Sequence, residues 1–233
     1  MSRVSVITFP GSNCNQDAQH VSRIRGHIVH DIWHKDTDLQ NPDLVIVPGG
    51  FSYGDYLRCG AIAKFSPIIQ SVIQYAQKGG LVIGICNGFQ ILTECGLLPG
   101  ALMMNEQLSF ICQHQWIRVD NNETPFTTGL ARGTVLDVPI AHKEGNYFIE
   151  EDGLKQLLDN QQVVFRYSAA NGEITANSNP NGSIDSIAGI CNERRNVLGM
   201  MPHPERAAEE GVVVSHDGAR IFEAIERYWE SLS

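Results

Sequence analysis

Long apolar runs are missing from this 233-residue chain. No stretch approaches the ~20 consecutive apolar residues that cross a bilayer, so no membrane span is expected. The early run Val4-Ser5-Val6-Ile7-Thr8-Phe9 is short, alternates, and stops at Pro10-Gly11; it reads as a first β-strand rather than a secretion signal. Basic charge is scarce as well. Lys and Arg number 17 against 26 Asp and Glu, a formal net charge of −9. A nucleic-acid partner, which demands phosphate neutralisation, is therefore not expected. The six cysteines are unevenly spaced, with no CxxC pair and no pattern of bridges, so the reducing cytoplasm is the expected compartment. Nucleotide fingerprints are absent too. Neither a G-x-G-x-x-G after the first strand nor a Walker-type G-K-[ST] loop occurs, and no cofactor is expected on this chain.

What remains is an ordinary globular composition, 42% hydrophobic and 18% charged, in a length that fits a single domain over 1–233. Short apolar runs bounded by Gly or Pro occur at Val4–Phe9, Leu44–Val47 and Leu81–Ile85, as buried parallel strands require. Further strands are expected at Ile28–Trp33, Val135–Val138, Val163–Tyr167, Ile187–Cys191 and Val197–Met200. Helical spacing covers Asp55–Lys78 and Asn87–Cys95, and Ile221, Phe222, Ile225, Tyr228, Trp229 and Leu232 form one apolar stripe near the end. The Asn-, Gly- and Ser-rich stretch 171–183 reads as a surface loop. Alternating strands and helices imply an α/β fold, a doubly wound and mostly parallel sheet flanked by helices. In such sheets reactive groups gather at the carboxyl ends of the strands.

One motif stands at such an end. Leu81-Val82-Ile83-Gly84-Ile85-Cys86-Asn87-Gly88-Phe89-Gln90 is a strand running straight into a helix, with glycines two residues before and after Cys86. This is the G-x-nucleophile-x-G elbow with Cys as the nucleophile. The turn crowds the backbone at Cys86, and glycines at both flanks let strand and helix approach. A helix N-terminus favours a thiolate there, and the Asn87 amide, free of a helical partner, points where an oxyanion forms. Composition alone gives roughly 0.05 such matches by chance. The other cysteines, Cys14, Cys59, Cys95, Cys112 and Cys191, read as inert.

A thiol nucleophile needs a base, and the base needs an orienter. Of eight histidines, His203 stands out in Met201-Pro202-His203-Pro204-Glu205, directly after the strand Val197–Met200. The prolines bias this segment toward extended geometry, which puts His203 and Glu205 on one side. His27, His30 and His34 sit at offsets that do not share a strand face, so no metal site is expected; His20 and His114 read as surface polar groups. A third element, Leu44-Val45-Ile46-Val47-Pro48-Gly49-Gly50-Phe51, ends a buried strand in a glycine pair and makes Gly50 a candidate second oxyanion donor.

Strand-PGG, strand-GxCxGxQ-helix and strand-HPE, in that order, resemble the triad-type (class I) glutamine amidotransferases, whose fold is flavodoxin-like. Phe9-Pro10-Gly11-Ser12-Asn13-Cys14, the run Pro48 to Ala61 containing FSYGDYLRCGA, Ile140-Ala141-His142 with Glu144-Gly145, and Gly199 to Arg206 narrow the likeness to the separate glutaminase subunits of phosphoribosylformylglycinamidine synthases. Asn15, Lys143 and Asn146 depart from that pattern. The resemblance implies Cys86 as nucleophile, His203 as proton shuttle, Glu205 as its orienter, and the amides of Gly50 and Asn87 as oxyanion donors. It implies Gly49, Gln90 and the 140s loop around the substrate, glutamine, with His142 in that loop a weaker candidate for contact than for loop structure. It also implies partners: a large ATP-dependent synthetase subunit carrying ATP and Mg, and a small third subunit. Exposed aromatics in Phe51–Tyr56 are expected on the docking face. Rival readings are the glutaminase of another amidotransferase, a stand-alone γ-glutamyl hydrolase, and an inactive regulatory module on the same fold. A cysteine peptidase of related architecture would lack the Gln90 and PGG combination.

Overall fold

The computed structural model describes residues 1–211 and 213–232. The chain forms two compact units, Met1–Pro99 with Asn196–Gly199, and Gly100–Arg195 with Met200–Ser233. The first opens with β1 (Arg3–Thr8), α1 (Asn15–Ile24), β2 (Ile28–Trp33) and β3 (Leu44–Val47). It continues through α2 (Pro67–Gln77), β4 (Leu81–Ile85) and α3 (Asn87–Glu94). β1 pairs in parallel with β2 and β3, and β3 with β4, in register Val45↔Val82 and Ile46↔Ile83. Every residue of β3 and β4 is buried, which is why these strands carry unbroken apolar runs instead of alternation.

The helix expected over Asp55–Lys78 is much shorter. Ser52–Asp55 form a 3-10 turn with positive φ at Asp55; Leu57 and Gly60 also have positive φ, and residues 56–62 form an irregular loop before a second 3-10 turn at Ala63–Phe65. Only at Ser66-Pro67 does a regular helix begin: Ser66 is extended (φ −64°, ψ 137°), as a residue before proline must be, and Pro67 occupies the first helical turn.

The second unit contains β5 (Ala101–Met103), β6 (Ile111–Val119), β7 (Val135–His142) and β8 (Asn146–Phe148). After α4 (Glu151–Asp159) come β9 (Val163–Tyr167), β10 (Ile187–Cys191), β11 (Val197–Met200) and α5 (Ala219–Ser231). Here the pairing is antiparallel: β10 with β9, β9 with β6, β6 with β7, and β5 with β8. The residues Asn196–Gly199, which include most of β11, belong to the first unit, where the Asn196 carbonyl accepts from the Val82 amide at 2.9 Å. The strand order is β2-β1-β3-β4-β11 in the first unit and β10-β9-β6-β7 in the second.

β7 runs four residues beyond the expected Val135–Val138, so Ile140-Ala141-His142 lies in a strand and not in a loop. Pro139 sits inside it. That is tolerated because β7 closes the strand order on its side and Pro139 has no amide to leave unpaired there. The 171–183 stretch is irregular, with a 3-10 turn at Ala176–Ser178, but its end is not on the surface. Asn181 is fully buried and donates to the Gly145 carbonyl (2.8 Å) and the Tyr167 hydroxyl (3.2 Å). The terminal stripe buries Ile221, Phe222 and Ile225, while Tyr228 and Trp229 are half-buried and Leu232 is exposed. No helix among the described residues is long and apolar enough to cross a membrane.

Candidate active site

The nucleophile candidate lies in the first unit, between β4 and α3. Cys86 is buried and has φ 51° and ψ −107°, a conformation that costs an L-residue about 1–3 kcal/mol. Its carbonyl accepts the Gln90 amide at 3.2 Å, which starts the helix. The flanking glycines make the turn possible. A Cβ on Gly88 would lie 1.8 Å from the Val47 carbonyl oxygen, and one on Gly84 would lie 2.8 Å from the Gly88 backbone. No rotamer relieves a backbone contact that short. Gly88→Ala is expected to destabilise the protein by more than ~3 kcal/mol. The urea midpoint measures this, and a shift under 1 kcal/mol would contradict the packing described.

Three loops meet at the carboxyl ends of β1, β3 and β4, next to the elbow. Gly50 forms a bridge with Ser12. The Phe51 amide donates to the Gly11 carbonyl (3.0 Å), Tyr53 to Pro10 (2.6 Å) and Cys14 to Gly49 (3.4 Å). At Gly50 φ is +136°, and a Cβ there would strike the Asn13 amide nitrogen at 2.7 Å, so only glycine fits. The Asn87 side chain ties this loop to the elbow. Its Oδ1 accepts from the Ser52 amide (3.2 Å) and its Nδ2 donates to Gln90 Oε1 (2.8 Å). Gly49, Gly50, Cys86, Asn87 and Gln90 are thus one connected group, in which Gln90 braces Asn87.

The base candidate lies in the second unit. His203 has φ −104° and ψ 84°, and Pro204–Arg206 form a 3-10 turn instead of the expected extended segment. The turn still brings the two side chains together. His203 Nδ1 stands 2.6 Å from Glu205 Oε1, both groups buried. A carboxylate at Nδ1 takes that nitrogen's proton in hydrogen bonding, which puts the ring's lone pair on Nε2. The His203 amide donates to the Pro139 carbonyl of β7 at 2.8 Å, which anchors the imidazole's own backbone to that strand.

His142, at the end of β7, is buried in the same unit. Its Nδ1 lies 3.1 Å from Asn105 Oδ1. Burial, then the charge of His203, pushes its pKa down to about 3, only partly offset by a backbone hydrogen bond. Asn105 went unnoticed in the sequence because it lies outside any periodic segment, between β5 and β6. Lys143, one of the departures, is exposed and contributes its carbonyl to the Asn105 amide (2.8 Å); Asn146 pairs with Met103 in the β5–β8 ladder. Asn15 donates to the Thr8 hydroxyl at 3.0 Å.

His34 is buried, and its Nδ1 lies 2.6 Å from the Tyr53 hydroxyl, which also meets Ser66 Oγ at 2.8 Å. Tyr53 is half-buried and braces this loop from inside, while Phe51, Tyr56 and Leu57 are exposed. Among the other cysteines, burial pushes the thiol of Cys191 up to about 12 and also raises that of Cys95.

A strand–Cys–helix elbow and a buried His–Glu pair are each features that occur in thiol hydrolases. Comparison with known proteins narrows the class. A family model for the CobB/CobQ-like glutamine amidotransferase domain matches residues 1–227. A phosphoribosylformylglycinamidine synthase subunit PurQ from Koribacter versatilis is 57% identical over 96% of both chains, and one from Moorella thermoacetica is 54% identical over 98% of this chain and 97% of that one. A chain of the PurLQS structure from Thermotoga maritima superposes with a TM-score of 0.87 at 43% identity, covering 98% of this chain and 100% of that one. The chain belongs to the CobB/CobQ-like glutamine amidotransferases and, within them, to the family of phosphoribosylformylglycinamidine synthase PurQ subunits.

Proposed function

We propose that this chain hydrolyses glutamine to glutamate and ammonia as the glutaminase subunit of a phosphoribosylformylglycinamidine synthase, in purine biosynthesis, with Cys86, His203 and Glu205 as its triad. The observation that carries the reading is the strained, buried cysteine at a strand-to-helix elbow. Cys86 Sγ attacks the side-chain carbonyl carbon of glutamine while His203 Nε2 takes the thiol proton. The same nitrogen returns that proton to the amide nitrogen as the C–N bond breaks. Ammonia departs and a γ-glutamyl thioester remains. Water then attacks, His203 takes its proton, the C–S bond breaks, and glutamate leaves with the thiol restored.

Amides of Gly50 and Asn87 hold the oxyanion in both tetrahedral steps; one such donor is worth ~3 kcal/mol. Glu205 fixes the tautomer of His203 and steadies its charged form. Gly49, Gln90 and His142 flank the glutamine. The ammonia passes to a large ATP-dependent synthetase, which carries ATP and Mg, in a complex completed by a small third subunit, in the cytoplasm. The absence of a Walker-type loop from this sequence suits a division in which nucleotide binds elsewhere. The exposed Phe51, Tyr56 and Leu57 form part of the docking face.

A glutamine-mimicking diazoketone tests the reading. Intact and peptide mass spectra of the full chain, alone and with its synthetase partners, should show a single adduct on Cys86 that excess glutamine prevents. Modification of another cysteine, or no adduct in the assembled complex, overturns it.

A further inference from the structure

His142 carries a buried nitrogen that the fold itself does not use. Its side chain is 3% exposed, and Nε2 takes no hydrogen bond from any described residue. The direction of that nitrogen's lone pair is fixed from the other side of the ring. Asn105 Nδ2 donates to the carbonyls of Ser109 and His142, both at 2.9 Å, so the amide is oriented with Oδ1 toward the imidazole. Oδ1 accepts from the Gly145 amide (3.0 Å) and faces Nδ1 at 3.1 Å. An oxygen there requires the proton on Nδ1, which leaves Nε2 as a bare acceptor.

Gly145 packs directly against the ring: a Cβ there would lie 2.3 Å from Cε1, 2.4 Å from Nδ1 and 2.7 Å from Nε2, so any side chain at 145 would push the imidazole aside. Buried polar atoms are almost always paired in native proteins, and a buried acceptor without a partner among the described residues suits a donor from outside. The neighbouring group is His203, whose charge acts on His142. On the proposed mechanism, which this inference rests on, His203 is the group that delivers a proton to the departing nitrogen.

We propose that His142 Nε2 accepts a hydrogen bond from the N–H of the scissile amide and of the ammonia it becomes. A neutral acceptor suits this place better than a carboxylate. It aligns the nitrogen's lone pair toward the His203 proton without pulling a proton off the imidazolium or holding ammonium in the site. The low proton affinity of His142, from burial and from the His203 charge, keeps it an acceptor across the working pH range. His142 is then a determinant of leaving-group selectivity: amides gain from it and esters do not.

The test compares two γ-glutamyl substrates in the full chain assembled with its synthetase partners: glutamine, and γ-glutamyl methyl ester, whose leaving group has no N–H. His142→Leu is expected to lower the ratio of kcat/KM for glutamine over ester by about 30-fold, and His142→Gln, whose amide oxygen can reach the Nε2 position, to restore most of that ratio. Asn105→Asp, which favours a proton on both ring nitrogens, should lower the ratio in the same direction. An equal fall for both substrates, as a structural water on Nε2 would give, or an unchanged ratio in His142→Leu, overturns the proposal. Should His142→Leu not fold, the ratio in His142→Gln against Asn105→Asp decides alone: no difference between them overturns it. The triad reading is checked separately in the same assay. Cys86→Ala that still turned over both substrates would sink that reading whatever His142 does.

Discussion

Cys86→Ala is expected to remove glutamine-dependent activity by at least ~10⁴-fold while ammonium at high concentration still supports synthesis by the complex. The two halves of this result test different links. On the proposed mechanism, loss of the thiol removes the atom that forms the thioester, and neither the proposed oxyanion donors nor His203 can substitute for a bond. Retention of ammonium-driven synthesis shows that the subunit still folds and docks. Alanine leaves the φ of 51° in place, so the variant keeps the elbow's strain and its geometry. Cys86→Gly should be equally inactive yet melt higher than Cys86→Ala, because glycine occupies that conformation without the Cβ clash. Steady-state ammonia release and a thermal melt of each variant measure this. Glutaminase activity surviving in Cys86→Ala would remove the nucleophile from the scheme, and a melting order with glycine below alanine would remove the strain argument.

That strain explains which parts of this protein its sequence announces. β3 and β4 are legible because burial on both faces leaves no choice but continuous apolar residues. The elbow is legible because its glycines answer to backbone contacts, as the Val47 carbonyl at Gly88 makes plain. The pairing of His203 with Glu205 is legible from spacing even though the turn between them is 3-10 rather than extended. Elements held by tertiary context are not. β6 reads Ile-Cys-Gln-His-Gln-Trp-Ile-Arg-Val, with Cys112–His114 exposed and the polar Gln115 buried, so neither a clean apolar–polar alternation nor an apolar run marks it. α1 buries Asn15, Gln19 and Ser22 beside Ala18 and Val21, and a helix with a half-polar buried face shows little periodicity. The segment 55–62 carries the opposite error: its residues space like a helix, but positive φ at Asp55, Leu57 and Gly60 prevents a regular one. Asn105 is the deepest omission, since its value lies wholly in which atoms of His142 and Gly145 it meets.

Glu205→Gln is the variant that separates orientation from proton transfer. The carboxylate accepts the Nδ1–H of His203 at 2.6 Å, in a site where both side chains are buried. An amide of the same shape fills the same volume, so packing survives. It presents either a neutral oxygen, which no longer balances the imidazolium, or an NH₂ group, which drives the proton to Nε2 and inverts the tautomer. The first orientation weakens Nε2 as a base and the second takes away its lone pair, so both slow the proposed transfer of the thiol proton. Replacing the carboxylate of a hydrolase triad by its amide slows turnover by up to ~10⁴-fold, and a loss between about 10² and 10⁴ is expected here in kcat for glutamine. Substrate contacts are not touched, so KM should change less than about threefold. The adduct rate of Cys86 with the diazoketone should fall together with kcat, since both need the thiol proton removed. Activity within a factor of about three of the parent would mean that Glu205 is only a buried hydrogen-bond partner at the turn Pro204–Arg206 and that His203 does not need its carboxylate.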